Sequence, residues 1–189
     1  MRDYEIVEFS SQAALRAWFM DNGAAKDGIW LRIYKKGSKI PTVTYAEALD
    51  EALCFGWIDG MKKGLDEVSF LQKFTPRRPR STWSKRNIEH IERLMAAGLM
   101  TPAGMAEVDK AKTDGRWQAA YDAFGTAEIP ADFMELLQLN PAAKEFFDGL
   151  NKTNRYAIAW RLQTAKAEAV RQRRTEKIIA MLEAGQKFY

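Results

Sequence analysis

Residues 57–77 read WIDGMKKGLDEVSFLQKFTPR. Two short extended stretches flank a polar, glycine-bearing connection near Lys62 to Asp66, the pattern of a β-hairpin. A hairpin pairs its strands antiparallel, so the strands upstream are read against it. The stretch GIWLRIYKKG, residues 28–37, alternates: Ile29, Leu31 and Ile33 point one way, Trp30, Arg32 and Tyr34 the other, as in a half-buried strand. VEF (7–9) reads as a short strand leading into the helix of SSQAALRAWFMDNG (10–23), with Ser10 or Ser11 as cap and Gly23 as stop. Leu15, Trp18 and Phe19 fall at helical spacing on one buried face. In TYAEALDEALCFG (44–56), Thr44 and Glu47 have capping-box spacing, Leu49, Leu53 and Phe55 supply apolar surface, and Gly56 ends the helix. The fold class expected is α+β, a small, mainly antiparallel sheet covered by helices, not a repeated βαβ unit.

Downstream of Ser84 the pattern is helical throughout. Ile88, Ile91, Leu94 and Met95 make one stripe stopped by Gly98, and TPAGMAEVDKAKTDG (101–115) restarts with Thr101 as cap and Pro102 at the first helical position. Small and turn-forming residues gather in GTAEIPAD (125–132), which sets the expected boundary between an α+β domain, 1–125, and a helical C-terminal module, 126–189. Three or four short helices are expected there, packed as a bundle.

Composition removes several classes of function. With 189 residues, 47% hydrophobic content and a net charge of +4, the chain is globular and mildly basic. Its single cysteine, Cys54, excludes an internal disulfide and a multi-cysteine metal site, and reads as an inert core thiol. The single histidine, His90, leaves room for one His-based acid–base site. No phosphate loop, nucleophile elbow, cofactor motif or metal set is present in the sequence. MRDYEIVEFSSQ has no apolar signal region and no transmembrane run appears, so a cytoplasmic protein is expected.

The stretch FTPRRPRSTWSKRN, residues 74–87, holds five cations, two prolines, a tryptophan and no acid. Pro76 and Pro79 keep the backbone extended, so Arg77, Arg78 and Arg80 sit on a stiffened loop. Ser81, Thr82 or Ser84 then caps a helix carrying Lys85 and Arg86, where unspent N–H groups and the helix dipole favour an anion. Guanidinium forks pair with carboxylate or phosphate, and Trp57 and Trp83 are read as the walls of such a site, with Asp59 of WIDG positioning the arginines. The candidate ligand-binding set is Trp57, Asp59, Arg77, Arg78, Arg80, Trp83, Ser84, Lys85 and Arg86. Internal pairing of the same arginines is the competing structural reading. A second basic run, RLQTAKAEAVRQRRTEKII (161–179), is read as a solvated helix face.

TYAEALDEALCFGWIDG, FTPRRPRSTWSKRN, RLMAAGLMTPAGMAEVDKAKTDGRW and NRYAIAWRLQTAKAEAVRQRRTEKIIAMLEAG together resemble the bacteriocin-protection, YdeI/OmpD-associated family of bacterial proteins, over nearly the whole chain. The resemblance implies an N-terminal α+β domain akin to domains of unknown function, a helical C-terminal module, and a link to tolerance of bacteriocins or cationic peptides at the envelope. It carries no catalytic residues over. The expectation is a non-enzymatic protein that binds a small anion or an acidic partner segment through residues 76–87. The alternatives are a nucleic-acid-binding accessory protein using both basic runs, and an enzyme using Asp59 or His90 as base.

Overall fold

The computed structural model describes residues 4–189, which form two compact units. The first runs to Ser81 and resumes from Asn87 to Gln118; the second comprises Thr82–Arg86 and Ala119–Tyr189.

The first unit holds the sheet. Strands β1 (Ile6–Glu8), β2 (Ile29–Tyr34), β3 (Trp57–Gly64) and β4 (Ser69–Pro76) lie in the order β1-β2-β4-β3. β2–β4 and β3–β4 are antiparallel, and the expected hairpin is β3–β4. β1 runs parallel to β2 across helix α1 (Gln12–Asn22), so the sheet is mixed and mainly antiparallel. An irregularity between Asp59 and Lys62 shifts the hairpin register, as a bulge does.

Local chemistry explains the helix ends. The Ala14 amide donates to Ser11 Oγ at the start of α1, and Thr44 and Glu47 form the expected reciprocal capping box on α2 (Tyr45–Cys54). α1 buries Leu15 and Phe19, and α2 buries Ala48, Leu49, Ala52 and Leu53. Ile29, Leu31, Ile33 and Phe74 are buried on one sheet face. Phe19 meets Phe55 and Trp57 with ring centroids 5.3 and 5.2 Å apart. Such ring pairs add about 0.5–1.5 kcal/mol each beyond area burial. Trp30, expected on the open face, is on that face yet only 8% exposed. The Lys63 ammonium lies 4.3 Å from its ring centroid, so a cation and its alkyl stem cover what alternation alone would leave wet.

Helices α3 (Lys85–Ala96) and α4 (Pro102–Thr113) follow. α4 approaches the end of α2 so closely that a β-carbon on Gly104 would stand 2.2 Å from the Cys54 carbonyl oxygen. The Thr101 hydroxyl donates to that same carbonyl at 2.7 Å. The cation near Cys54 that sequence could not reveal is Arg16, yet burial outweighs it and pushes the thiol pKa up. Cys54 is a core residue.

The second unit is built on α5 (Ala131–Gln138), α6 (Pro141–Asp148), α7 (Lys152–Gln163) and α8 (Glu168–Glu183), where three or four short helices are expected. Asn140 and Asn151 cap α6 and α7 through their side chains. Phe133, Leu137, Phe147, Ile158, Leu162, Ile178 and Leu182 form its core. Ser84 pairs with Tyr121 as an isolated bridge within this unit. No helix among the described residues is long and apolar enough to cross a membrane.

Candidate functional site

The basic stretch 74–87 divides between the two units. In the first, β4 ends with Pro76 opposite Trp57. The Arg77 amide then donates to the Gly56 carbonyl at 3.0 Å, which extends the edge by one bond. Gly56 has φ +75°, and a β-carbon there would stand 3.0 Å from the Ala103 carbonyl, so glycine is required twice over. Arg77 is only 7% exposed. A guanidinium needs several acceptors, and burying it commits its position to the fold.

Beyond Arg77 the chain turns. The Ser81 amide donates to the Arg78 carbonyl at 3.1 Å, and Arg80 has φ 67°. Proline at the second position and a left-handed third residue are the pattern of a type II turn. That third position normally takes glycine, because a Cβ there costs roughly 1 kcal/mol. Arg78 and Arg80 are exposed on this turn, and neither has a carboxylate partner among the described residues. The base of the turn is fixed by a residue that sequence reasoning missed. Arg116, 5% exposed, donates from Nη1 to the Ser81 carbonyl at 3.0 Å and from Nε to Asp114 at 2.7 Å. Nothing in TDGRW distinguishes it from any other arginine near a helix end.

Trp57 and Asp59 differ from expectation in their surroundings. Trp57 is 1% exposed: its indole N–H donates to the Gly23 carbonyl at 3.1 Å, and its ring meets Trp18 and Phe19 edge-on. It is a core residue rather than a wall against which a ligand could stack. Asp59 accepts a hydrogen bond from the Tyr45 hydroxyl at 2.8 Å.

In the second unit, Trp83 is also 1% exposed and Ser84 is buried. The Tyr121 amide donates to the Trp83 carbonyl, and the Lys85 amide donates to the Tyr121 carbonyl at 2.9 Å. The first amide of α3, expected to await an anion, is therefore already satisfied by backbone. The Lys85 ammonium lies 2.6 Å from Asp122. That hydrogen bond raises the Lys85 pKa and lowers that of Asp122, two shifts that agree. Arg86 is exposed, with no carboxylate partner among the described residues.

His90 Nδ1 stands 2.9 Å from Asp50, to which Arg93 also bonds at 2.6 Å. The two residues weighed as a catalytic base thus have separate partners, a tyrosine for Asp59 and an aspartate for His90. No group of three or more His, Cys, Asp or Glu among the described residues is arranged to hold a metal.

Residues 7–107 match the family model described as Domain of unknown function (DUF8412), more than half of the chain. The chain belongs to the DUF8412 family. Residues 126–185 of this DUF8412 protein match a second model, described as Bacteriocin-protection, YdeI or OmpD-Associated. The family resemblance drawn from sequence is thus borne out over the C-terminal helices. Expected over nearly the whole chain, it gives way to DUF8412 in the sheet domain. No curated protein and no solved structure matches the chain.

Proposed function

We propose that this protein acts without catalysis, by holding an acidic partner segment on the turn Arg78–Ser81, and that this binding underlies a bacteriocin-protection role. One observation carries the reading. Arg78 and Arg80 project from a turn fixed at both ends, by the Arg77 amide on Gly56 and by Arg116 on Ser81, and neither has a carboxylate partner among the described residues. Ordering the turn in advance lowers the entropy lost on binding. An exposed turn with two outward guanidiniums suits an extended acidic strand better than a small enclosed anion, which needs a concave site.

The test is a fluorescence-anisotropy titration of the full chain with a labelled oligoglutamate peptide. Reversal of both charges, Arg78→Glu with Arg80→Glu, is expected to weaken binding about ten-fold or more, since like charges then face the peptide. Unchanged affinity in that variant would defeat the proposal. Tighter binding to a single-stranded oligonucleotide, with a steep loss in added salt, would replace it with the nucleic-acid reading.

A further inference from the structure

The second basic run does not all spread into solvent. On α8, Arg171 is tied to Asp132 through a two-pronged contact, and that hydrogen bond holds the Asp132 carboxyl below its ordinary range. Arg161 and Arg174 are treated differently. Arg161 Nη1 donates to the Ala157 carbonyl at 2.9 Å, and Arg174 Nη1 donates to the Arg161 carbonyl at 2.6 Å and to Thr164 Oγ1 at 3.2 Å. Each guanidinium is pinned by one nitrogen to its own helix pair. Nε and Nη2 of both are left without an acceptor among the described residues, and no carboxylate pairs with Arg161, Arg174 or Lys177 there. A guanidinium offers five N–H donors, so each retains a fork for an outside anion.

The fork borders concave, apolar surface. A groove of about 250 Å³ is lined by Arg161, Arg174, Lys177, Trp160 and Phe188, three cations and no acid. A neighbouring groove of about 410 Å³ shares Trp160 and Arg161 and adds Phe124, Tyr156 and Tyr189. The rings are held in place: Phe124 meets Tyr156 edge-on at 5.1 Å, and the Arg161 guanidinium covers the Phe188 ring at 3.8 Å. Buried Asn154 fixes the segment bearing Phe188 and Tyr189, accepting from both their amides at 3.0 Å and donating to the Tyr189 carbonyl at 3.1 Å. Pinned donors next to ring-lined grooves are the arrangement that recognises a flat apolar body with one negative end.

We infer that α7, α8 and the segment Gln186–Tyr189 form a binding site for a small aryl carboxylate. Its carboxylate is taken by Arg161, Arg174 and Lys177, and its ring lies against Trp160, Phe124 and Tyr156. An aromatic body is favoured over an acyl chain because ring faces and edges make up most of the apolar lining. This site shares no residue with the Arg78–Ser81 turn and stands or falls independently of that reading.

The test uses the full ¹⁵N-labelled chain titrated with 2-naphthoate, following the Trp160 indole N–H, identified by its loss in Trp160→Phe. A saturable shift of that signal is expected. Arg174→Gln should weaken binding about ten-fold and the exposed Lys177→Gln about three-fold. Arg78→Gln with Arg80→Gln should leave it unchanged. Neutral 2-naphthamide should bind about ten-fold more weakly than naphthoate. If Arg174→Gln does not fold, Lys177→Gln and the naphthamide comparison decide. The inference is overturned by a Trp160 signal that does not saturate, by equal affinity for naphthoate and naphthamide, or by octanoate binding as tightly as naphthoate. It is overturned as well if an oligonucleotide occupies the same residues and naphthoate does not displace it.

Discussion

Two arginine-rich regions look alike in sequence and differ in what the fold does with them. In the loop, Arg77 is taken into the protein while Arg78 and Arg80 are pushed outward on a proline turn, so charges adjacent in sequence have opposite fates. On α7 and α8, Arg161 and Arg174 are neither swallowed nor released: each is tethered by one nitrogen to a backbone carbonyl beside apolar grooves. Density of positive charge is therefore a poor guide to a binding site. What separates the regions is whether a guanidinium is tethered to backbone and whether concave surface lies next to it.

The largest expected effect lies within the loop. Arg77→Glu places the wrong charge in a buried position and should cost about 3 kcal/mol or more in urea unfolding, while Arg78→Glu should stay within about 0.5 kcal/mol. Similar losses for the two would erase the distinction between them. Next is Asn154→Ala, which removes the hydrogen bonds holding Phe188 and Tyr189 and should cost about 2 kcal/mol by the same measurement. A near-zero change would mean that the tail adds nothing to the bundle.

Acid titration gives a smaller effect. Hydrogen bonds from Lys85 and from Arg171 hold the Asp122 and Asp132 carboxyls below their ordinary range. A lowered folded pKa contributes stability that is complete above the unfolded value, near about 4, and is lost as pH falls through the folded value. The Asp132 side chain is 60% exposed and Asp122 pairs with a Lys85 side chain that is 63% exposed, so screening keeps the contribution modest. Asp122→Asn with Asp132→Asn should flatten the dependence of the melting midpoint on pH below about 4 and leave its shape unchanged between about pH 6 and 8. The smallest effect is at Arg80. Glycine relieves the left-handed strain but loosens the unfolded chain, so Arg80→Gly should raise stability by about 1 kcal/mol or less.

Local signals in the sequence were sufficient for most elements. The Thr44–Glu47 box, the Thr101–Pro102 start and the alternation of Ile29, Leu31 and Ile33 each depend on neighbours within a few residues, and each has its expected structural form. The candidate site depended on distant partners and was less legible. The flat faces of Trp57 and Trp83 suggest walls, but both side chains are buried, and the Trp57 ring is met edge-on by Trp18 and Phe19 from a helix distant in sequence. Arg116 anchors Ser81 across 35 residues and leaves no local mark. Nor does any pattern in STWSKRN announce that Thr82–Arg86 joins the helical unit, because the backbone bridge to Tyr121 has no side-chain signature and the Lys85–Asp122 pair joins residues far apart in sequence. The pinning of Arg161 and Arg174 is hidden for a similar reason: each commits one nitrogen to a backbone carbonyl, which sequence does not display.

The most direct measurement compares unfolding and peptide affinity on one preparation of Arg78→Glu with Arg80→Glu. The expected result is a urea midpoint within about 0.5 kcal/mol of the parent and an oligoglutamate affinity lower by about ten-fold or more. A variant that unfolds several kcal/mol earlier, or that binds the peptide as well as the parent does, would contradict it.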